Sequence, residues 1–193
     1  MNAAALVLAA GGSRRLGRPK QLLDWGGRPL LEEVTAAVGD WGVSLVVVVL
    51  GAHAEEILER VDLGEATVVV NPEWEEGLAS SLRVGFDLLT RRRECEWAFL
   101  VLGDQPHIPA DVPPALLAAA AESGRPAVVP VYRYQWGNPV LFGRALWERV
   151  MSLEGDAGAA ALLRAHPGWV YEVRFDHPVP ADIDVPTDVP GPS

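Results

Sequence analysis

Only one lysine and one cysteine occur among 193 residues, and each scarcity carries information. Cys95 alone cannot form an intrachain disulfide, so nothing points to an oxidising compartment, and a partly buried thiol is expected. Positive charge is short: 16 Lys and Arg face 26 Asp and Glu, a formal net charge of −10. That balance excludes a broad nucleic-acid footprint and leaves any phosphate to be met by a local cation. No run approaches the roughly 18 apolar residues of a membrane span, so no membrane partner is expected. The opening MNAAALVLAAGG lacks the basic start and the apolar length of a signal peptide, which places the chain in the cytoplasm. Every positive side chain except Lys20 is arginine, and that lysine sits in LAAGGSRRLGRPK.

Hydrophobic residues make up 49% of the chain, enough for one substantial core, so residues 1–193 read as a single domain. Runs at 4–9, 44–51, 66–71, 96–104, 127–132 and 169–175 read as strands, and the continuous β-branched run at 44–51, with 66–71 and 96–104 similar to it, is of the kind covered on both faces. Helical patterns lie between them, at 28–42, 53–61, 77–93, 113–124 and 156–166. Leu78, Leu82, Phe86 and Leu89 recur at helical spacing in the third of these. The alternating order predicts an α/β fold with a mostly parallel sheet. The proline-rich tail is expected to begin ordered and to fray after about residue 189.

In such sheets ligands bind beyond the carboxyl ends of the strands. Three unusual stretches fall there. In the first, Gly11, Gly12 and Gly17 permit tight turns and close backbone approach, while Ser13, Arg15 and Lys20 add donors and charge. The stretch is no Walker A loop, because Arg18 and Pro19 follow Gly17, and it lacks the order of a dinucleotide fingerprint. Lys20 reads as a point charge for a phosphate or as a chance survivor of arginine-biased codon usage. The second stretch is NPEWEEGLASSLR, holding Asn71, Ser80 and Ser81. The third is GDQP, whose Asp104 suits Mg²⁺ or else caps the following turn. Near the C-terminus, Asp182 and Asp184 point to one face if the segment is extended, giving a second metal anchor or an acidic turn.

Seven blocks in order, LAAGGSRRLGRPK, KQLLDWGGRPLLEEV, NPEWEEGLASSL, GDQP, GNPVLFGRAL, EGDAGAAALL and DIDVPTDV, resemble the MobA-like nucleotidyltransferase family. The likeness is greatest to its molybdenum cofactor cytidylyltransferase branch. It spans residue 3 to about 189 and implies a three-layer α/β/α, Rossmann-like fold. It implies transfer of a cytidylyl group from CTP to a phosphorylated acceptor, molybdopterin first among candidates, with release of pyrophosphate and with Mg²⁺ as cofactor. Arg15, Lys20 and Asp104 would then be catalytic. Leu8, Ala9, Ala10, Gly11, Gly12, Ser13, Lys20, Asn71, Ser80 and Ser81 would bind nucleotide. Asn138, Pro139, Gly155, Asp156 and Gly158 would bind the acceptor, and Asp104, Asp182 and Asp184 the metal. The N-terminal half would thus take the nucleotide and the C-terminal half the acceptor, with transient contact to a molybdoenzyme. The acceptor phosphate is already anionic, so no general base is needed, and His53, His107, His166 and His177 read as surface or turn residues.

Two positions depart from the pattern: Asn138 stands for histidine and Ala160 for arginine, both in the acceptor half. Arg133, Arg144 or Arg164 would then supply the missing charge. Ala10, where the GTP-using branch has glycine, resembles the CTP-using branch. Three other readings remain: a nucleotidyltransferase using GTP or a sugar or polyol phosphate, a non-catalytic cofactor-delivery protein, and a glycosyltransferase. The last would want a D-x-D motif at the central strand end, where GDQP has one Asp.

Overall fold

The structure, a computed structural model, describes residues 2–14 and 16–183. β1 (Ala3–Ala9) is buried at every position. Ala4, Leu6 and Leu8 enter the core on one face of the sheet, while Ala3, Ala5, Val7 and Ala9 enter the other. Burial on both faces is why the run shows no polar alternation. The chain continues through β2 (Asp24–Trp25), β3 (Arg28–Pro29), α1 (Leu30–Gly39), β4 (Leu45–Leu50), α2 (Ala54–Arg60) and β5 (Thr67–Val70). It then forms α3 (Leu78–Thr90), β6 (Trp97–Leu102), α4 (Val112–Ser123), β7 (Ala127–Tyr132) and β8 (Gln135–Trp136). β9 (Val140–Gly143), α5 (Trp147–Met151), α6 (Ala159–Ala165) and β10 (Val170–Phe175) complete the order.

Among the described residues, eight strands form one sheet in the order β10-β7-β9-β6-β1-β4-β5, with β8 paired to β7. β5, β4, β1 and β6 are parallel neighbours, and β10 is parallel to β7. β9 runs antiparallel between β6 and β7. Side chains of α3, α5 and α6 pack on one face of the sheet and those of α1, α2 and α4 on the other. The result is the expected three-layer α/β/α arrangement with a mostly parallel sheet.

From β1 the chain moves outward to β4 and β5, whereas from β6 it moves the other way to β7. β1 and β6 therefore flank the point where strand order reverses, and a crevice opens beyond their carboxyl ends.

All six expected strands form; β2, β3, β8, β9 and the five-residue α5 were not foreseen. Segments of two to five residues are too short to display a period. Cys95 is fully rather than partly buried. Leu78 is 37% exposed, because it opens α3 at the crevice rather than lying against the sheet. Residues 180–183 fold back over the molecule, and Ile183 is buried with Leu23, Trp25 and Leu30. The expected fraying after about residue 189 lies outside the described residues. No helix among the described residues is long and apolar enough to cross a membrane.

Helix α3 lies close on β1 because Gly85 faces Leu6: a Cβ there would come within 2.4 Å of Leu6 Cδ1. Leu6 is fully buried and has nowhere to move. Gly85→Val is expected to cost about 1–3 kcal/mol in urea unfolding. Unchanged stability would show that the helix-to-sheet spacing does not depend on this glycine.

Candidate active site

The glycine loop leaves β1 at Ala10 and is shaped by its own side chains. Ser13 takes a left-handed backbone conformation, with φ 48°. Its carbonyl accepts from the Leu16 N–H at 2.9 Å, and its Oγ accepts from the Lys20 N–H at 3.0 Å. Gln21, 1% exposed, donates through Nε2 to the carbonyls of Ala9 (2.6 Å) and Gly11 (3.2 Å). The loop thus wraps around a buried amide. A short 3-10 turn, Lys20–Leu22, follows it, so no long helix begins at its end. That separates it structurally from the phosphate loops excluded above.

The opposite wall belongs to β6. Gly103 donates to the Leu8 carbonyl at 2.9 Å, and a Cβ on Gly103 would lie 3.0 Å from both Leu8 O and Ala9 Cβ. Missing Cβ atoms likewise admit Trp74: at Gly12 one would meet its ring at 3.0 Å, and at Gly51 its Cβ at 2.6 Å. Trp74 therefore lies against the glycine loop.

Lys20 Nζ donates to Asp104 Oδ2 in an ion pair that joins the loop after β1 to the end of β6. Both side chains are largely buried, at 21% and 14% exposed. They face a cleft of about 440 Å³ that also contains Leu8 to Gly12, Gln21, Trp74, Ser81 and Asp156. That volume suits a small-molecule ligand.

Not every expected site residue reaches the cleft. Asn71 is fully buried and spends its amide internally, donating to Ser80 Oγ (2.8 Å) and Ser81 Oγ (3.0 Å) and accepting from the Glu73 N–H (3.0 Å). Ser80 in turn donates to the Gly77 carbonyl. These two hold the start of α3, and Ser81 borders the cleft. The expected acceptor residues divide into two groups. Gly155 packs on Gly77, where a Cβ would lie 2.5 Å from its backbone, and its carbonyl accepts from the Ala79 N–H. Asp156 and Gly158 follow beside Gly77 and Leu78, so this group lies on the wall formed by the start of α3. Asn138 and Pro139 instead precede β9, next to β6. There the Asn138 carbonyl accepts from the buried Tyr132 hydroxyl at 2.6 Å, and burial pushes that phenol's pKa up. Arg15 and Asp184 lie outside the described residues.

Arg144 is not available as the missing acceptor cation. It follows the end of β9, beside the start of β6 and so at the end of the strands opposite the cleft, and donates to the carbonyls of Thr90, Arg92 and Cys95. Arg133 reaches the Asp176 carbonyl, and Arg164 lies over the Trp136 ring at 5.6 Å. Among the described residues no histidine lines the cleft. His107 packs against Trp25 and His166 stacks on Trp169. His177 hydrogen-bonds Asp111, holding that carboxyl below its usual range.

Asp182 lies on the returning tail, beside the residue that follows Asp104. Ile183 N–H donates to the Asp104 carbonyl at 3.0 Å, and Gln105 Nε2 donates to Asp182 Oδ1 at 2.6 Å. Two carboxylates are thus held on adjoining segments. Among the described residues no cluster of three or more His, Cys, Asp or Glu side chains could hold a metal. Two hard oxygen donors suit Mg²⁺ or Mn²⁺, which complete their shells with water and substrate phosphate. Gln21, Trp74, Gln105 and Ile183 were not among the expected site residues.

A glycine loop and a carboxylate meeting at the switch point of a parallel sheet mark a nucleotide-handling α/β protein. The comparisons define the class further. The chain belongs to the MobA-like NTP transferase domain family, whose model matches residues 5–169. Nicotine blue oxidoreductase of Paenarthrobacter nicotinovorans is 32% identical over 179 residues, covering 87% of this chain and 84% of that protein. Molybdenum cofactor cytidylyltransferase of Escherichia coli K12 is 25% identical over 186 residues, covering 95% and 91%. The crystal structure of Rv0371c from Mycobacterium tuberculosis H37Rv superposes with a TM-score of 0.88 at 30% identity, covering 97% of this chain and 95% of that one. Its complex with manganese gives 0.83 at 26% identity, covering 97% and 96%.

The loop's dependence on Gln21 is testable by two substitutions. Gln21→Leu removes the donor to both carbonyls and is expected to cost about 1–3 kcal/mol in chemical denaturation. Gln21→Glu sets a carboxylate against the same carbonyls and is expected to cost more. A Glu variant as stable as wild type would show that these bonds do not hold the loop.

Proposed function

We propose that this protein transfers a cytidylyl group from CTP to a phosphorylated acceptor, molybdopterin, releasing pyrophosphate. The observation that carries this reading is the meeting of Lys20 and Asp104 in a cleft bordered by the glycine loop. A cation and a carboxylate at one point serve the two charges of the reaction: the triphosphate and the metal that accompanies it. The similarity to a molybdenum cofactor cytidylyltransferase supports the choice of CTP and molybdopterin.

In this reading an acceptor phosphate oxygen attacks the α-phosphorus of CTP. One P–O bond forms, the bond to the β-phosphate oxygen breaks, and the electron pair leaves with pyrophosphate. No proton has to be removed from the attacking phosphate. Lys20, together with Arg15, pairs with the β and γ phosphates and steadies the charge that grows on the leaving group. Backbone of the Gly11–Gly12 loop approaches the phosphates closely because no side chain intervenes. Asp104 and Asp182, with Asp184, would hold Mg²⁺, which supplies positive charge against the phosphate oxygens when bound. The manganese complex of a relative supports a divalent cation. Asn71 and Ser80 act indirectly, by fixing Ser81 and the start of α3. The N-terminal half takes the nucleotide. Asn138 and Pro139, with the Gly155–Gly158 segment, border the acceptor.

A second reading rests on the similarity to nicotine blue oxidoreductase. Under it the same cleft binds a redox partner and no pyrophosphate appears. Incubation with CTP, molybdopterin and Mg²⁺ is expected to release pyrophosphate. Turnover of nicotine blue, with no pyrophosphate from any nucleoside triphosphate, would favour the second reading.

Lys20→Ala is expected to lower kcat/KM for pyrophosphate release ~10²-fold or more, with little change in thermal midpoint. Asp104→Asn is expected to lose activity more severely while still binding CTP weakly. Near-wild-type turnover by Lys20→Ala would remove the lysine from the mechanism.

A further inference from the structure

Five charged side chains line the cleft among the described residues: Arg14, Lys20, Glu75, Asp104 and Asp156. Four of them meet a charge of opposite sign. Lys20 pairs with Asp104, and Arg14 Nη2 lies 3.4 Å from Glu75 Oε1. The Asp156 carboxylate has neither an ion pair nor a hydrogen bond among the described residues. Its place is nevertheless closely set. Gly77 has φ 104°, and a Cβ there would lie 2.5 Å from the Gly155 backbone and 2.7 Å from Asp156 Oδ1. Gly155 has φ 59°, and its carbonyl accepts from the Ala79 N–H at 3.0 Å. Two left-handed positions that glycine takes readily thus bring this carboxylate against the start of α3. Trp74, on the turn before Gly77, puts an aromatic surface in the same cleft.

We infer that Asp156 is a specificity-determining residue, whose carboxylate receives the two neighbouring N–H donors of a 2-amino-4-oxopyrimidine ring. That edge is common to pterins and to guanine. The inference rests on the reading of the cleft given above, in which CTP meets a phosphorylated pterin. An unpaired carboxylate repels the phosphates that Lys20 attracts. It therefore marks the part of the cleft where the ligand offers hydrogen rather than negative charge. A planar pair of N–H groups meets both carboxylate oxygens at once, and carries no charge of its own to be balanced. Cytosine places a single donor, its N4 amino group, beside an acceptor, so it leaves one carboxylate oxygen unmatched. Of the two ligands in the reading, the pterin is the one that fits. Trp74 adds a surface on which a flat heterocycle stacks.

The test is equilibrium binding to the full chain, with pterin and lumazine as probes, each read from its own fluorescence. Lumazine has a carbonyl where pterin has the 2-amino group, so one of the two donors becomes an acceptor. Wild type is expected to bind pterin about tenfold more tightly than lumazine, the discrimination of one two-point contact. Asp156→Asn keeps the size of the side chain but replaces one acceptor by a donor. It is expected to bind pterin about tenfold more weakly, to lose the preference over lumazine and to keep the CTP affinity of wild type. Asp156→Ala is a second variant with the same expected outcome, and it decides alone if Asp156→Asn does not fold. Titrations with GTP and CTP separate the two sources of the edge. Asp156-dependent binding of pterin, with CTP binding retained, supports the inference and the CTP reading together. Asp156-dependent binding of GTP in place of pterin supports recognition of the edge and overturns the choice of CTP. Equal binding of pterin and lumazine by wild type, or pterin and GTP binding that is absent or indifferent to Asp156, overturns the inference and leaves nucleotidyl transfer standing. Loss of CTP affinity alone in Asp156→Asn assigns the carboxylate to the ribose or cytosine and overturns the inference as well.

Discussion

The contact between the Lys20 ammonium and the Asp104 carboxylate is the constraint around which the rest of the cleft is organised. The two residues are far apart in sequence and arrive on strands whose onward connections run in opposite directions. Their ion pair therefore spans the switch point of the sheet. Exchange of that partner for a phosphate and a metal is inexpensive only if both groups stay in place when the pair opens. Separate devices provide this. Gln21 and Ser13 fix the loop that carries Lys20, and the Gly103 N–H bond to Leu8 fixes the end of β6.

Electrostatics explains why the arrangement must be local. With a net charge of −10 the protein repels a triphosphate at long range. Attraction begins only inside a cleft that excludes some of the screening water, where a single ammonium counts for more than on the surface. A lysine kept in place by a carboxylate costs less to hold there than an unpaired one. The close packing of Trp74 on Gly12 and Gly51 serves the same end, because it leaves backbone rather than side chains facing the ligand.

Much of this was legible in the sequence. Strands covered on both faces announce themselves as continuous apolar runs, so β1, β4, β6 and β7 were readable from composition alone. β9 was not: four residues, VLFG, give no period, and its antiparallel direction comes from pairing with β6 and β7. Lys20 was visible through its rarity and Asp104 through its place at a strand end. Gln21 and Gln105 carry no such mark. A glutamine reads as a surface residue until the fold buries it, and only tertiary contacts reveal which carbonyl or carboxylate it serves. Asn71 and Ser80 illustrate the reverse: their motif drew attention, but the structure spends their polar atoms on each other and on Gly77. Ile183 was hidden because an apolar residue in an acidic tail says nothing about the pocket it fills.

The central claim is that Lys20 and Asp104 trade each other for triphosphate and cation. Diffraction from crystals grown with a non-hydrolysable CTP analogue and Mn²⁺, collected at the manganese edge, tests it most directly. The account predicts an anomalous peak shared by the carboxylates of Asp104 and Asp182, with Lys20 Nζ moved onto the triphosphate oxygens. A nucleotide bound in the cleft with Lys20 still on Asp104 and manganese elsewhere would contradict it.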